Sequence, residues 1–396
     1  MRLRHLLLAW SLGLVLWSGR ALAQPADAPV VVLYTIGMGD DPFERFGHTT
    51  LCLRYRRHAG ESQCFDFGAA DFVHVDETAW LFLRGQGSFF LEADREPRMF
   101  NAYKEADRDM WRQVLPLTTE QAQLLAARLQ ATPTGKKARY PYRLLDDNCA
   151  TRLRDVLDDV LEGDLRAATA GKPGDGVSYR EYGRRGFADL LVGLWVFDLF
   201  LTDHADRVPD RWQQMFMPDK LRDEVAALLG VEPEHVHARR GPALGTDPGL
   251  GGRPWFVVLG LALAVPLALA RRFGRLGRTA VVWATLWLGL LALVVWAVAA
   301  LSTFPEQRHN LLCFVLLPTD LALPFLGEAL RRRYARTRLL GLAIVAVLAA
   351  AGVMRSPLWA PLALVALPML VLAFVRPRKR PVAAAPAPAV GRRAAA

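Results

Sequence analysis

Apolar positions along the chain fall into two regimes. Up to about residue 250 they come in short runs broken by charge, and beyond it they come in long blocks. In the first regime, residues 29–36 are rich in β-branched side chains and read as a strand. His48–Tyr55 and Gln63–Phe67 read as two more strands, joined by a polar, Gly-containing turn near residue 60. Gly37–Arg45 is a polar loop. Thr119–Gln130 has the spacing of an amphipathic helix capped by Thr118 or Thr119, and Cys149–Leu161 follows Asp147 or Asn148 as its cap. Gly171–Gly176 reads as a loop, 187–201 as a buried apolar helix, and 210–229 as a helix split by Pro218. Arg239–Pro254, rich in Gly and Pro, reads as a linker.

The second regime holds five apolar runs, about 255–270, 279–301, 311–327, 339–354 and 357–375, each roughly long enough to span a bilayer. Their flanks alternate in charge. Arg271, Arg272, Arg275 and Arg278 follow the first run, Arg331, Arg332, Arg333, Arg336 and Arg338 the third, and Arg376, Arg378, Lys379 and Arg380 the fifth. The other two connections carry only Arg308 and Arg355. The positive-inside rule then places residues 24–250 and the connection Ser302–Asn310 outside the cytoplasm.

The N-terminus agrees independently. A basic start, the apolar stretch Leu6–Trp17 and Ala21-Leu22-Ala23 make a secretory signal peptide, and no Cys follows the cleavage site to mark a lipoprotein. The expected organisation is a signal peptide over 1–23, an exported domain over 24–238, a linker over 239–254, a membrane domain of about five helices over 255–375, and a basic Ala/Pro-rich cytoplasmic tail over 376–396.

Composition sharpens one point. The formal charge of +10 divides into +3 for residues 1–23, −8 for 24–252 and +15 for 253–396. The positive charge lies between apolar runs and at the C-terminus, as a topology signal does, and not as a patch on a folded domain, which argues against nucleic-acid binding.

The candidate chemistry centres on Cys149. A thiol that opens a helix feels the positive end of the dipole and the free backbone N–H groups, which favour thiolate and can hold an oxyanion. His48, in Phe46-Gly47-His48-Thr49, sits where a glycine-bearing loop enters a strand and is the natural general base. If the hairpin turns near residue 58, Asp66 faces Thr50, diagonal to His48 on the same face, and can orient the imidazole. The same register sets Cys52 against Cys64, as a disulfide or as two small buried residues. Bridging them would leave Cys149 as the free exported thiol. Asn148 is a candidate oxyanion donor. Arg308, His309 and Asn310, level with lipid headgroups, are candidates for binding a headgroup or completing the active site, or else for interfacial anchoring and capping. Asp320 falls inside the third run, where acids face a protein interior or a wet cavity. Arg166, Arg180 and Arg184 read as solvated surface, Cys313 as packing, and His235 and His237 as surface residues. No metal motif or phosphate-binding glycine loop occurs, and no cofactor is expected.

Phe46-Gly47-His48-Thr49, Phe65-Asp66-Phe67-Gly68, Asp147-Asn148-Cys149-Ala150-Thr151 and the stretch 212–221 together resemble the periplasmic domain of a Cys–His family of bacterial lipoprotein N-acyltransferases, the Lnb type. His309-Asn310-Leu311-Leu312, with Leu317-Pro318 beyond it, resembles the motif of the family's membrane part. The order His before Cys resembles the circularly permuted, NlpC-type papain-like fold. The resemblance implies an α+β exported domain of that fold followed by an α-helical membrane domain, in a multi-pass inner-membrane protein. It implies transfer of a fatty acyl chain from a membrane phospholipid, through a Cys149 thioester, to the α-amino group of a lipoprotein. Fold does not settle the reaction. A cell-wall peptidase or amidase, or a non-catalytic envelope assembly protein, are the alternatives.

Overall fold

The computed structural model describes residues 28–378, apart from 58, 70–79, 81–83, 85–87, 137 and 275–276. The expected signal peptide and most of the expected tail lie outside the described residues. The chain divides into two compact units that interleave in sequence. Met1–Asp71, Ser88–Pro173 and Asp210–Ala243 form the first, and Phe72–Gly87, Gly174–Pro209 and Leu244–Ala396 the second.

The first unit is built on a seven-stranded sheet. Its strands are β1 (Val30–Ile36), β2 (His48–Arg54), β3 (Gln63–Ala69), β4 (Ser88–Asp94), β5 (Met110–Val114), β6 (Arg139–Pro141) and β7 (Glu234–His237), in the spatial order β6-β4-β3-β2-β1-β5-β7. Every pairing is antiparallel. Leu51 pairs with Phe65 and Cys52 with Cys64, the register expected from the turn.

Alternation sends the two side-chain sets to opposite faces. Val31, Leu33, Leu51, Leu53 and Phe65 join a core made with the helices α2 (Thr119–Ala131), α3 (Cys149–Val160) and Pro218–Leu229. Val32, Tyr34, Ile36, Cys52 and Cys64 pack with Met99 of α1 (Glu96–Glu105). With both faces covered, the central strands must be apolar on both sides, which is why β1 reads as an unbroken run. The capping box of Thr118 and Gln121 starts α2, and Pro218 sits in the first turn of its helix, where its missing N–H costs nothing.

The second unit contains α4 (Tyr179–Gly186), α5 (Leu191–Phe200), α6 (Arg253–Phe273), α7 (Gly277–Leu301), α8 (Glu328–Ala350) and α9 (Trp359–Phe374). Placing 174–209 here differs from the single exported domain expected over 24–238. The reason is a pair of arginines expected at the surface. Arg180 is 1% exposed and Arg184 wholly buried, whereas Arg166 is exposed as expected. Arg180 bonds Asp206 at 2.6 and 2.9 Å and the carbonyls of Leu201 and Thr202. Arg184 pairs with Asp198 and donates to the Gly251 carbonyl at 2.8 Å. Arg253 closes the network on Glu181 and Asp198. Guanidinium groups survive burial only when their donors are met in this way, and here the Gly251 carbonyl comes from the turn that leads into α6 and Arg253 is its first residue.

Among the described helices, α6 and α7 are long and apolar enough to cross a membrane. The third expected span is not one helix. It is a turn over Leu312–Val315 followed by a 3₁₀ segment over Pro318–Phe325. Pro318 and Pro324 bring no N–H, so carbonyls that an unbroken helix would satisfy need other donors. Trp296 Nε1 donates to Leu316 O at 2.8 Å, Arg338 to Val315 O at 2.7 Å, and Arg331 to Leu323 O and Leu326 O. Asp320, in this segment, is 1% exposed and bonds Arg338 at 3.1 Å through both carboxylate oxygens and Tyr334 at 2.7 Å. The fourth and fifth expected spans appear as α8, whose first half holds five arginines, and the 16-residue α9.

Candidate active site

His48 is the first residue of β2, opposite Ile36. Gly47, with φ of 73°, feeds it in. A Cβ at Gly47 would lie 2.7 Å from the Ile36 carbonyl oxygen, so only glycine fits the turn. The β2–β3 register, continued, brings Asp66 against Thr50, and the predicted diagonal contact forms: His48 Nε2 lies 2.8 Å from Asp66 Oδ1. The backbone N–H of Gly68 donates to the same oxygen at 2.6 Å. A Cβ at Gly68 would lie 2.4 Å from His48 Cε1 and 3.0 Å from Nδ1, so the imidazole rests against bare backbone. With Nε2 committed to Asp66, Nδ1 is the nitrogen left for Cys149, whose nearby sulfur is among the influences that raise the imidazole.

Cys149 opens α3, is 6% exposed and carries a free thiol. Asn148 caps the helix. Its Oδ1 accepts from Thr151 N at 2.9 Å, and its own N–H donates to Thr151 Oγ1 at 2.8 Å. Its side-chain amide donates to the carbonyls of Leu144 and Phe216, both at 2.9 Å. Both amide hydrogens are thus spent, which corrects the expectation that Asn148 offers an oxyanion donor. Asn148 instead positions Cys149 and ties it to the stretch Trp212–Phe216. Asp147 holds Arg152 at 2.6 and 2.9 Å, and the guanidinium covers the Tyr140 ring at 3.6 Å.

The electrostatics favour an imidazolium. Burial pushes His48 down, but the Asp66 carboxylate and the Cys149 sulfur outweigh it and hold the group up, at about 10. Burial pushes Asp66 up, and the His48 charge, its hydrogen bond, the Gly68 N–H and the Tyr103 hydroxyl together keep the carboxyl below its ordinary range. Tyr103, on α1, was not foreseen. Its hydroxyl donates to Asp66 Oδ2 at 3.3 Å, its ring centre lies 6.0 Å from that of His48, and Arg108 sits over the ring at 5.2 Å. Burial, then the Asp66 charge, keep its phenol well above the usual range, as a donor.

Cys52 and Cys64 are joined as a disulfide. Arg308, His309 and Asn310 belong to the second unit. Arg308 and His309 are exposed, His309 with φ of 58°. Asn310 is 3% exposed; its amide donates to Leu199 O at 2.7 Å and its Oδ1 accepts from Leu312 N, so it is a clamp and a cap. His235 pairs with Asp109 at 2.9 Å and stacks on Trp111.

The first unit therefore presents a thiol at a helix start, an imidazole and an orienting carboxylate on an antiparallel sheet. Residues 22–181 match the family described as the Lnb N-terminal periplasmic domain. That stretch is thus similar to the Lnb-type periplasmic domain that the motifs suggested, and among the described residues two helices are long and apolar enough to cross a membrane. The match includes His48, Asp66 and Cys149 and ends inside α4. No curated protein and no solved structure matches the chain.

Proposed function

We propose that the protein is a thiol-dependent acyltransferase that moves a fatty acyl chain from a membrane phospholipid to the N-terminal amine of a lipoprotein. The observation that carries this reading is the His48–Asp66 pair, which leaves His48 Nδ1 for a thiol at a capped helix start. In the first step the His48–Cys149 pair holds the shared proton on the imidazole, and the sulfur attacks an ester carbonyl of the phospholipid. The ester C–O bond breaks, and the lysophospholipid leaves with the proton that His48 returns. In the second step the lipoprotein amine attacks the thioester, the C–S bond breaks, and His48 carries the amine proton back to the sulfur. Having given its proton to the lysophospholipid, His48 is left neutral and free to take the amine proton. Asp66 keeps Nδ1 aimed through both steps. His before Cys in the chain is the order of a permuted papain-like arrangement.

The second unit is read as a multi-pass inner-membrane anchor with five crossings, the third made by the broken segment 312–325. The five arginines of α8 and those after α6 face the cytoplasm, and Arg308 and His309 meet lipid headgroups on the periplasmic side. Two lipid-anchored substrates explain why a thiol domain is tethered to a bilayer, which a soluble cell-wall peptide would not require. Mass spectrometry of lipoproteins from cells that depend on this protein, with Cys149→Ala alongside, tests the reading. N-acylation should vanish in the variant, and an acyl-thioester on Cys149 should be trapped in the wild type. Unchanged N-acylation in the variant sinks it.

A further inference from the structure

Helix α5 is an unusual element for the domain that the sequence assigned it to. Its polar side is turned inward. Asp198, 7% exposed, is taken by Arg184 and Arg253, and Leu194 and Leu199 are buried beside it. Its other side is apolar and uncovered: Val192 is 62% exposed, Val196 one turn later 39%, and Leu190 just ahead of the helix 38%. A helix of a water-facing domain shows the reverse pattern.

The place of α5 in its own unit gives the reason. Trp195 Nε1 donates to the Gly252 carbonyl at 2.9 Å, and its ring packs on Phe256, fixing α5 at the N-terminal end of α6. The chain just beyond α5 is held by the connection after α7, since Asn310 donates to Leu199 O and Thr202 N to Glu306 O at 2.7 Å. Both contacts belong to the same end of the helix bundle, where α6 begins and α7 finishes. There the bare side of α5 has counterparts on α6, whose exposed side chains begin with Trp255 at 50% and continue through Val258 and Val265. Trp at the end of an apolar helix marks the membrane–water boundary. Ten residues of α5 extend about 15 Å, half of a hydrocarbon core of about 30 Å, so the helix is too short to cross.

We propose that α5 is an interfacial membrane helix, seating Leu190, Val192 and Val196 among the lipids of the leaflet at which α6 begins. Its polar side is neutralised inside the protein and its apolar side is solvated by acyl chains, so 174–209 forms a lipid-facing collar on the second unit. This rests on α6 being membrane-embedded, and the test separates the two.

Single cysteines replace Val192, Val265 on α6 and Arg98, whose side chain is 82% exposed on the first unit. The full chain carries Cys149→Ser and Cys313→Ser, bears an environment-sensitive fluorophore at the new thiol, and is placed in nanodiscs whose phospholipids have brominated acyl chains. Quenching of at least about twofold is expected at Val265 and at Val192, with none at Arg98. An unquenched Val265 removes the membrane reading of α6, and this inference with it. A quenched Val265 beside a Val192 that behaves like Arg98 overturns the inference alone. A Val192 thiol shielded from both bromine and a water-soluble maleimide means that protein covers the helix, and also overturns it.

Discussion

Tyr103 donates its hydroxyl to the Asp66 oxygen that His48 does not use. At 3.3 Å the bond is longer than the usual O–H···O distance of about 2.7–2.8 Å, so its effect belongs at the small end of a charge-assisted bond. Tyr103→Phe keeps the ring against His48 and removes only the donor. A loss of about three- to tenfold in kcat is expected, with KM unchanged. If Tyr103 acts only through Asp66, the substitution costs nothing further in an Asp66→Asn background. Equal losses in both backgrounds would show that it acts by another route.

The charge balance predicts a pH window. His48 is raised above its ordinary value of 6.5, so its pairing stabilises the fold fully below that pH and is lost as pH rises through about 10. Asp66 is depressed, so its contribution is present above its ordinary 3.8 and lost as pH falls through the lower folded value. The pair therefore supports the domain from mildly acidic pH to about 10. NMR titration of the imidazole should find its midpoint lowered by Cys149→Ala and lowered further by Asp66→Asn, because Asp66 is the larger of the two raising influences. An unmoved midpoint in Asp66→Asn refutes the assignment.

Much of this site can be read from local sequence, for a physical reason. β1, β2, β3, α2 and α3 lie close to their expected bounds because alternation and caps are local signals, and one turn length fixes the β2–β3 register that aligns Asp66 with His48. Tyr103 is silent in the sequence because its role depends on which sheet face α1 crosses, and no local pattern sets that. β7 is four residues long and abuts a stretch whose Gly and Pro content reads as linker. Arg180 and Arg184 look like surface because polarity reports on one residue, while burial depends on Asp206 and Asp198 arriving from elsewhere. The third span is the opposite case. Pro318 and Pro324 announced the break, and apolar length alone hid it.

Asp320 and Arg338 pair inside the second unit, where removal of one partner leaves the other charge buried alone. Arg338→Met also strips the Val315 carbonyl of its donor. A destabilisation of about 3–5 kcal/mol is expected, read as early thermal unfolding in detergent. Pairing it with Asp320→Leu should restore part of the loss. Wild-type unfolding of Arg338→Met alone would show that water reaches the pair.

The Cys52–Cys64 disulfide fastens the strand that carries His48 to the one that carries Asp66. A one-residue slip would turn Asp66 to the other face. Replacing both cysteines with serine should lower kcat more than it lowers the melting temperature, with the His48 midpoint drifting toward its ordinary value as the pair loosens. A variant with wild-type kcat would leave the bridge a purely structural staple.

That bridge also bears on how the nucleophile comes through maturation unspent. Cys52 and Cys64 are only twelve residues apart, with Cys149 far behind them. A polypeptide threaded N-terminus first into an oxidising compartment exposes the two strand cysteines together while Cys149 is still in transit. The oxidant finds the correct couple first, and the thiol that arrives last meets no free mate. Order of arrival then protects the reactive sulfur without a dedicated guardian, and losing either strand cysteine alone would do more harm than losing both.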